Sequence, residues 1–338
     1  MVPNSETKPS LSSVSFCIHT LMPMLMCLPG ISETAVTPAL PDNLFHSEKG
    51  EEKRETSQSI TLLQLLSQVY ESKILHPPMP YDPDALFNTR TRLALANGGA
   101  EEIHRICSHY GLFGDFKEVD LTSRVEECIW ATTLLMASTG RKERKPRLDF
   151  FLMHLVTSSL FLQPFCDALK KPEHKSALLN AYIHALVLIT LTRGRPRINP
   201  ELLMSYTDVP RPPVPAGSLP QRNGESVGDP RTDTDYNPWP AIIEGVQYHS
   251  DSHVPKTLRT LIFASQRYGN KAPGEAIGAF DKGSGAETHN GTGKMDGTIF
   301  IRAAGLVMET LGWVSYGQKP GAWDRSALGW DAAWDSGD

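Results

Sequence analysis

Apolar residues first recur at a sustained helical spacing in TLLQLLSQVYES (61–72), and the proline-broken PPMPYDP after it ends that helix. AEEIHRICSHYG (100–111) predicts a second helix, stopped by Gly111. LTSRVEECIWATTLLMASTG (121–140) opens with a start signal, Thr122 or Ser123 with Glu126 behind it, and then turns apolar on all sides. A helix that is apolar all round belongs in the middle of a core. LDFFLMHLVTSSLF (148–161) and EHKSALLNAYIHALVLITLTRG (173–194) are two more of that kind. AIIEGVQYH (241–249), HVPKTLRTLIFASQRYG (253–269) and TIFIRAAGLVMETLGWV (298–314) complete the helical pattern. Between them lie a Pro/Gly-rich surface loop at 209–240 and a polar glycine-rich loop at 269–297, and a Trp-rich tail closes the chain. No strand-rich region and no repeat is present. The expected fold is all-α, an irregular helical bundle with long Pro/Gly-rich loops, over residues 58–338; residues 1–57 read as a poorly ordered segment.

Composition narrows the function. A formal charge of −5 gives no reason to expect nucleic acid or an anionic membrane surface. The basic run GRKERKPR (140–147) reads as a solvated connection. The apolar stretch at 14–32 is broken by His19, Pro23 and Pro29, and a span needs about 20 apolar residues, so no membrane is expected. Five widely spaced cysteines without CxxC suggest neither a zinc knuckle nor a disulfide framework; Cys128 and Cys166 read as small buried hydrophobes. A reducing, cytoplasmic compartment is the expectation.

Three short motifs carry little. GESVG (224–228) matches a nucleophile elbow, but that turn works only between a strand and a helix. GTGKMDG (291–297) lacks the strand and spacing of a nucleotide loop. HSDSH offers His249, Asp251 and His253 as metal ligands for a hydrolase; the competing reading has Asp251 or Ser252 capping the helix that His253 opens.

His154 is the lone imidazole on an apolar helix, among Phe150, Phe151, Thr157, Ser158 and Phe161. It reads either as a core histidine bonded to a carbonyl or hydroxyl, or as an acid/base group. Asp149, too far around the helix to meet it, suits the helix start, where exposed amides attract negative charge.

RKPRLDFFLMHLVTSSLF, RGRPRINPELLMSYT, NPW, HVPKTLRTLIFASQRYG and ETHNGTGKMDGTIFIRAAGLVMETLGWVSYGQK together resemble the questin oxidase-like family of fungal oxidoreductases, over roughly residues 60–335. The resemblance implies NADPH-dependent Baeyer–Villiger-type oxygen insertion that opens the ring of an anthraquinone or similar aromatic polyketide, in secondary metabolism. The sequence carries no flavin fingerprint, which is consistent with that family, and no HExxH zinc site, so neither a flavin nor a metal is expected. His154 and His253, with Asp149, become catalytic candidates. Phe150 and Phe151 would stack on a flat substrate, Thr157, Ser158 and Arg302 would donate to an oxyanion, and His289 joins the substrate contacts, with Asp296 in the same loop. Family members carry a paired-His segment and a His-x-x-x-His-Leu-Gly segment in an N-terminal half; this chain has neither, and no adjacent histidines, which implies either a truncated member or a wrongly placed start. The alternative is a non-catalytic helical remnant, or a protein whose exposed apolar faces are covered by a partner or a second copy.

Overall fold

The computed structural model describes residues 59–112, 118–213 and 235–335. The N-terminal segment, the GESVG motif and most of the loop at 209–240 lie outside them. Among the described residues there are eleven α-helices and no strand, so the fold is all-α. They are α1 (Leu62–Glu71), α2 (Phe87–Leu95), α3 (Gly99–Ser108), α4 (Glu118–Ala137), α5 (Phe150–Ser159), α6 (Leu162–Ala168), α7 (Pro172–Thr192), α8 (Pro200–Ser205), α9 (Trp239–Val246), α10 (His253–Tyr268) and α11 (Ile299–Leu311).

α5 is central, packed against α4, α7 and α10. Nine of its ten residues are buried. α7 is long and apolar enough to cross a membrane, but 94% of its apolar window is packed inside the protein, so the core accounts for its composition. Cys107, Cys128 and Cys166 are free, buried thiols. Exposed large apolar side chains, such as Leu86, Ile243 and Phe280, sit on separate elements.

The helix starts follow local chemistry. Thr61 and Gln64 form a reciprocal capping box at α1, and Asn199 caps α8 with Pro200 in the first turn. α4 begins at Glu118, ahead of the expected cap, so Thr122 and Ser123 lie inside the helix. The helices α2, α6 and α8 appear where no helical pattern was read.

The tail is stitched back to the start of α5. Phe150 N–H donates to Asp324 O and Asp324 N–H to Leu148 O, each at 2.8 Å. Arg147 pairs with Asp324 and donates to Ala333 O at 2.7 Å, and Arg141 pairs with Asp331. The basic run is therefore a clamp on the tail rather than a purely solvated connection. Where the tail crosses the end of α7, a Cβ on Gly329 would come within 2.4 Å of the Gly194 backbone, so only glycine allows the crossing.

Glu127 ties α4 to the start of α1. Its carboxylate accepts Leu62 N–H at 2.6 Å and meets Arg124 at 3.1 Å. Burial pushes the Glu127 carboxyl up to about 7, against the pull of Arg124 and the Leu62 amide. A raised carboxyl stabilises the fold fully below its unfolded value, about 4.3, and that contribution fades as pH rises through 7. His154 and His184, whose folded values are lowered to about 4, act in the opposite sense, their contribution fading as pH falls from about 6.5 through 4. The expected result is thus a difference. Relative to Glu127→Gln, the natural chain loses on the order of 3 kcal/mol between pH 4.5 and 7.5. Urea unfolding of both proteins across that range checks it, and parallel pH profiles would contradict it.

Candidate active site

The start of α5 is built around Asp149. Its carboxylate accepts Phe151 N–H at 2.8 Å and Leu152 N–H at 3.2 Å, capping the helix. Its second oxygen meets Arg193 at 2.8 Å, with both side chains essentially fully buried. Asp149, expected among the catalytic groups, is thus spent on the cap and the ion pair. Its part is to hold α5 in place.

One turn on, the His154 ring is fully buried and its Nδ1 lies 2.7 Å from Phe150 O. A carbonyl only accepts, so Nδ1 carries the proton and Nε2 is bare. That Nε2 is buried with no hydrogen-bond partner. Burial pushes His154 down to about 4; the bond to Phe150 O opposes this, and the charges of His253, Lys256 and Arg325 push it further down. At neutral pH His154 is uncharged and can only accept at Nε2.

α10 brings the second imidazole. His253 Nδ1 donates to Asp251 Oδ1 at 2.7 Å, and the same oxygen accepts His253 N–H at 2.9 Å. Burial would raise the Asp251 carboxyl, but the bonds from His253 and the nearby His253 and His249 rings hold it below its ordinary range. The His154 and His253 ring centroids stand 5.0 Å apart, and the Phe150 ring touches both, at 4.6 and 5.0 Å. Asp251, rather than Ser252, makes the side-chain bond at the helix start. The HSDSH metal reading is corrected: His249 Nε2 donates to Leu311 O and its Nδ1 accepts Asp251 N–H, so neither nitrogen is available. Among the described residues no three His, Cys, Asp or Glu side chains group as metal ligands.

Other expected contacts lie elsewhere. Thr157 and Ser158 donate back to His154 O, at 3.2 and 2.7 Å, so their hydroxyls are spent on their own helix instead of an oxyanion. Phe151 stacks on Phe87 with centroids at 4.8 Å, under the Arg193 guanidinium, as core packing. Arg302 donates to Thr298, Met204 O, Tyr206 O and Asp208, bracing α11 against the end of α8. His289 Nε2 donates to Leu63 O at 2.8 Å and fastens its loop to α1. Asp296 accepts Thr298 N–H beside the start of α11. A cavity of about 480 Å³ between α9 and α10 is lined by Val246, Pro255, Leu258 and Ile262. Those α10 positions face the opposite side of the helix from His253, so the cavity is separate from the paired imidazoles.

Residues 24–261 match the questin oxidase-like family. The chain belongs to that family. It is an oxidoreductase of the questin oxidase-like kind, and the matched region holds both imidazoles, Asp251 and Phe150. No curated protein matches the chain. NADPH, implied by the resemblance, finds no cradle in the glycine loop at 291–297. The Gly291 and Gly293 amides already donate to the Glu287 carboxylate, each at 2.8 Å, and a phosphate there would meet that charge. Arg325 was not singled out from the sequence. It lies beyond the matched region, yet its guanidinium sits 3.5 Å over the centroid of the Phe150 ring.

Proposed function

We propose that this questin oxidase-like chain opens the ring of a hydroxylated aromatic polyketide, an anthraquinone being the expected substrate, by inserting oxygen beside a ring carbonyl. One oxygen atom of dioxygen enters the carbon–carbon bond; the other leaves as water, with two electrons and two protons from a reductant. NADPH is the reductant the resemblance implies, and no step is assigned to it because the glycine loop does not fit it.

The observation that carries the reading is the orphaned Nε2 of His154, beside a second imidazole backed by a carboxylate. A buried acceptor with no donor costs about 1–3 kcal/mol, and a hydroxyl on the substrate would satisfy it. His154 then orients the substrate. His253 takes the proton, because Asp251 fixes its tautomer and stabilises the imidazolium, as carboxylate-backed histidines do in acid–base catalysis.

The test is oxygen-18 incorporation: folded chain, NADPH, labelled dioxygen and a panel of hydroxyanthraquinones, beside His154→Ala. With substrate held below KM, labelled, ring-opened product from the natural chain, cut at least tenfold in the variant, is expected. Equal product from both would return His154 to the core. No product from a folded chain over the whole panel would favour the non-catalytic remnant. Metal content is measured on the same preparation, since an imidazole with Nδ1–H tied and Nε2 bare is also in the state of a metal ligand. Stoichiometric metal lost in both His154→Ala and His253→Ala would replace the acid–base roles by a metal centre.

A further inference from the structure

The arginines that brace this fold share one habit. Arg124, Arg147, Arg193, Arg195 and Arg302 each donate to carbonyls or carboxylates of the chain. Arg325 does not. Among the described residues its guanidinium makes no hydrogen bond or ion pair; its central carbon lies 3.5 Å from the centroid of the Phe150 ring, and the residue is exposed. Its backbone is firmly placed: Arg193 donates to Arg325 O at 2.8 Å, and the neighbouring Asp324 is bonded on both sides to the start of α5. A guanidinium stacked by its face on an aromatic ring keeps its in-plane N–H donors directed away from that ring, ready for a planar oxyanion.

The surrounding charge points the same way. Phe150 is the ring that touches both imidazoles. Lys256, one turn along α10 from His253, also acts on His154 and has no ion pair among the described residues. The carboxylate at the centre, Asp251, is already engaged by His253. Two unpaired cations therefore flank a neutral acceptor with no counter-anion of their own.

We propose that Arg325 is the anion contact of the His154–His253 centre, so that the centre selects a planar aromatic carrying an oxyanion over its neutral isostere. The inference rests on the reading that this centre is the substrate site, and it names the substrate class: a flat aromatic ionised as phenolate or carboxylate.

Binding tests it without turnover. The full chain is titrated with anthraquinone-2-carboxylate and with anthraquinone-2-carboxamide, following tryptophan fluorescence, for the natural protein, Arg325→Gln and Arg325→Lys. The expected result is that the carboxylate binds about tenfold more tightly than the amide, that Arg325→Gln erases the preference, and that Arg325→Lys keeps part of it. Added salt should weaken the carboxylate and leave the amide unchanged. Equal affinities in the natural chain, a preference that survives Arg325→Gln, or no binding of either compound would each overturn the proposal. A preserved preference with no labelled product in the oxygen assay would leave the anion contact standing and remove the oxidase reading.

Discussion

Asp149→Ala is expected to destabilise the chain by about 3–5 kcal/mol, measured by urea or thermal unfolding. The carboxylate joins three things: the first free amides of α5, the buried Arg193 guanidinium and, through Arg193, the tail at Arg325 O. Removing it strands a cation that is 1% exposed, which is the costly way to break an ion pair. The lost cap adds about 1 kcal/mol. Asp149→Asn keeps an oxygen for the Phe151 and Leu152 amides, so it should spare the cap and still lose most of the ion-pair contribution. Asp149→Leu combined with Arg193→Met should recover much of the loss of Asp149→Ala, because no unpaired charge remains. A destabilisation under about 1 kcal/mol in Asp149→Ala would mean that Arg193 finds another partner, and the structural role given to Asp149 would fail.

That result would also separate two readings of one residue. The sequence places Asp149 next to the histidine helix and within a family-like stretch, which suits a catalytic role and a cap equally. What decides between them is Arg193, forty-four positions away at the end of α7, and no local pattern announces that meeting.

The same limit runs through the rest of the molecule. α5, α7, α10 and α11 are legible because their apolar runs are long and regular. α2, with only Phe87, Leu93, Ala94 and Leu95 apolar among nine residues, α6, interrupted by Pro164, and the six-residue α8 carry too little periodicity to stand out. Within the centre, the oddity of His154 on an apolar helix and the place of His253 at a helix mouth are both visible in the sequence. Their approach to 5.0 Å is not, since it depends on how α5 packs on α10. Arg302 and His289 show the reverse error. They fall in a family-like stretch, but polar side chains there are as readily consumed by nearby carbonyls, here Met204 O, Tyr206 O and Leu63 O. Arg325 had no sequence signal at all, because the backbone bonds at Asp324 that bring the tail to the start of α5 join segments about 175 positions apart, and no local pattern shows them.

Asp251→Asn is expected to lower kcat for labelled-product formation by about 10²–10⁴-fold while leaving KM and the unfolding midpoint nearly unchanged. An asparagine oxygen can still accept both His253 N–H groups now held at 2.7 and 2.9 Å, so ring position and helix start persist. Only the negative charge goes, and with it the stabilisation of the imidazolium formed when His253 takes the substrate proton. His253→Ala should lose as much, and the double variant little more, because the two side chains act as one unit. His154→Ala should differ in kind. A neutral acceptor that orients a hydroxyl in the ground state as well as the transition state raises KM when removed, with a smaller effect on kcat. Initial rates over a range of hydroxyanthraquinone concentrations distinguish these outcomes. If Asp251→Asn kept full kcat, the carboxylate would be no more than a helix cap and His253 would lose its part as the proton acceptor. If His154→Ala lowered kcat alone, the proton would pass through His154 and the two imidazoles would exchange roles.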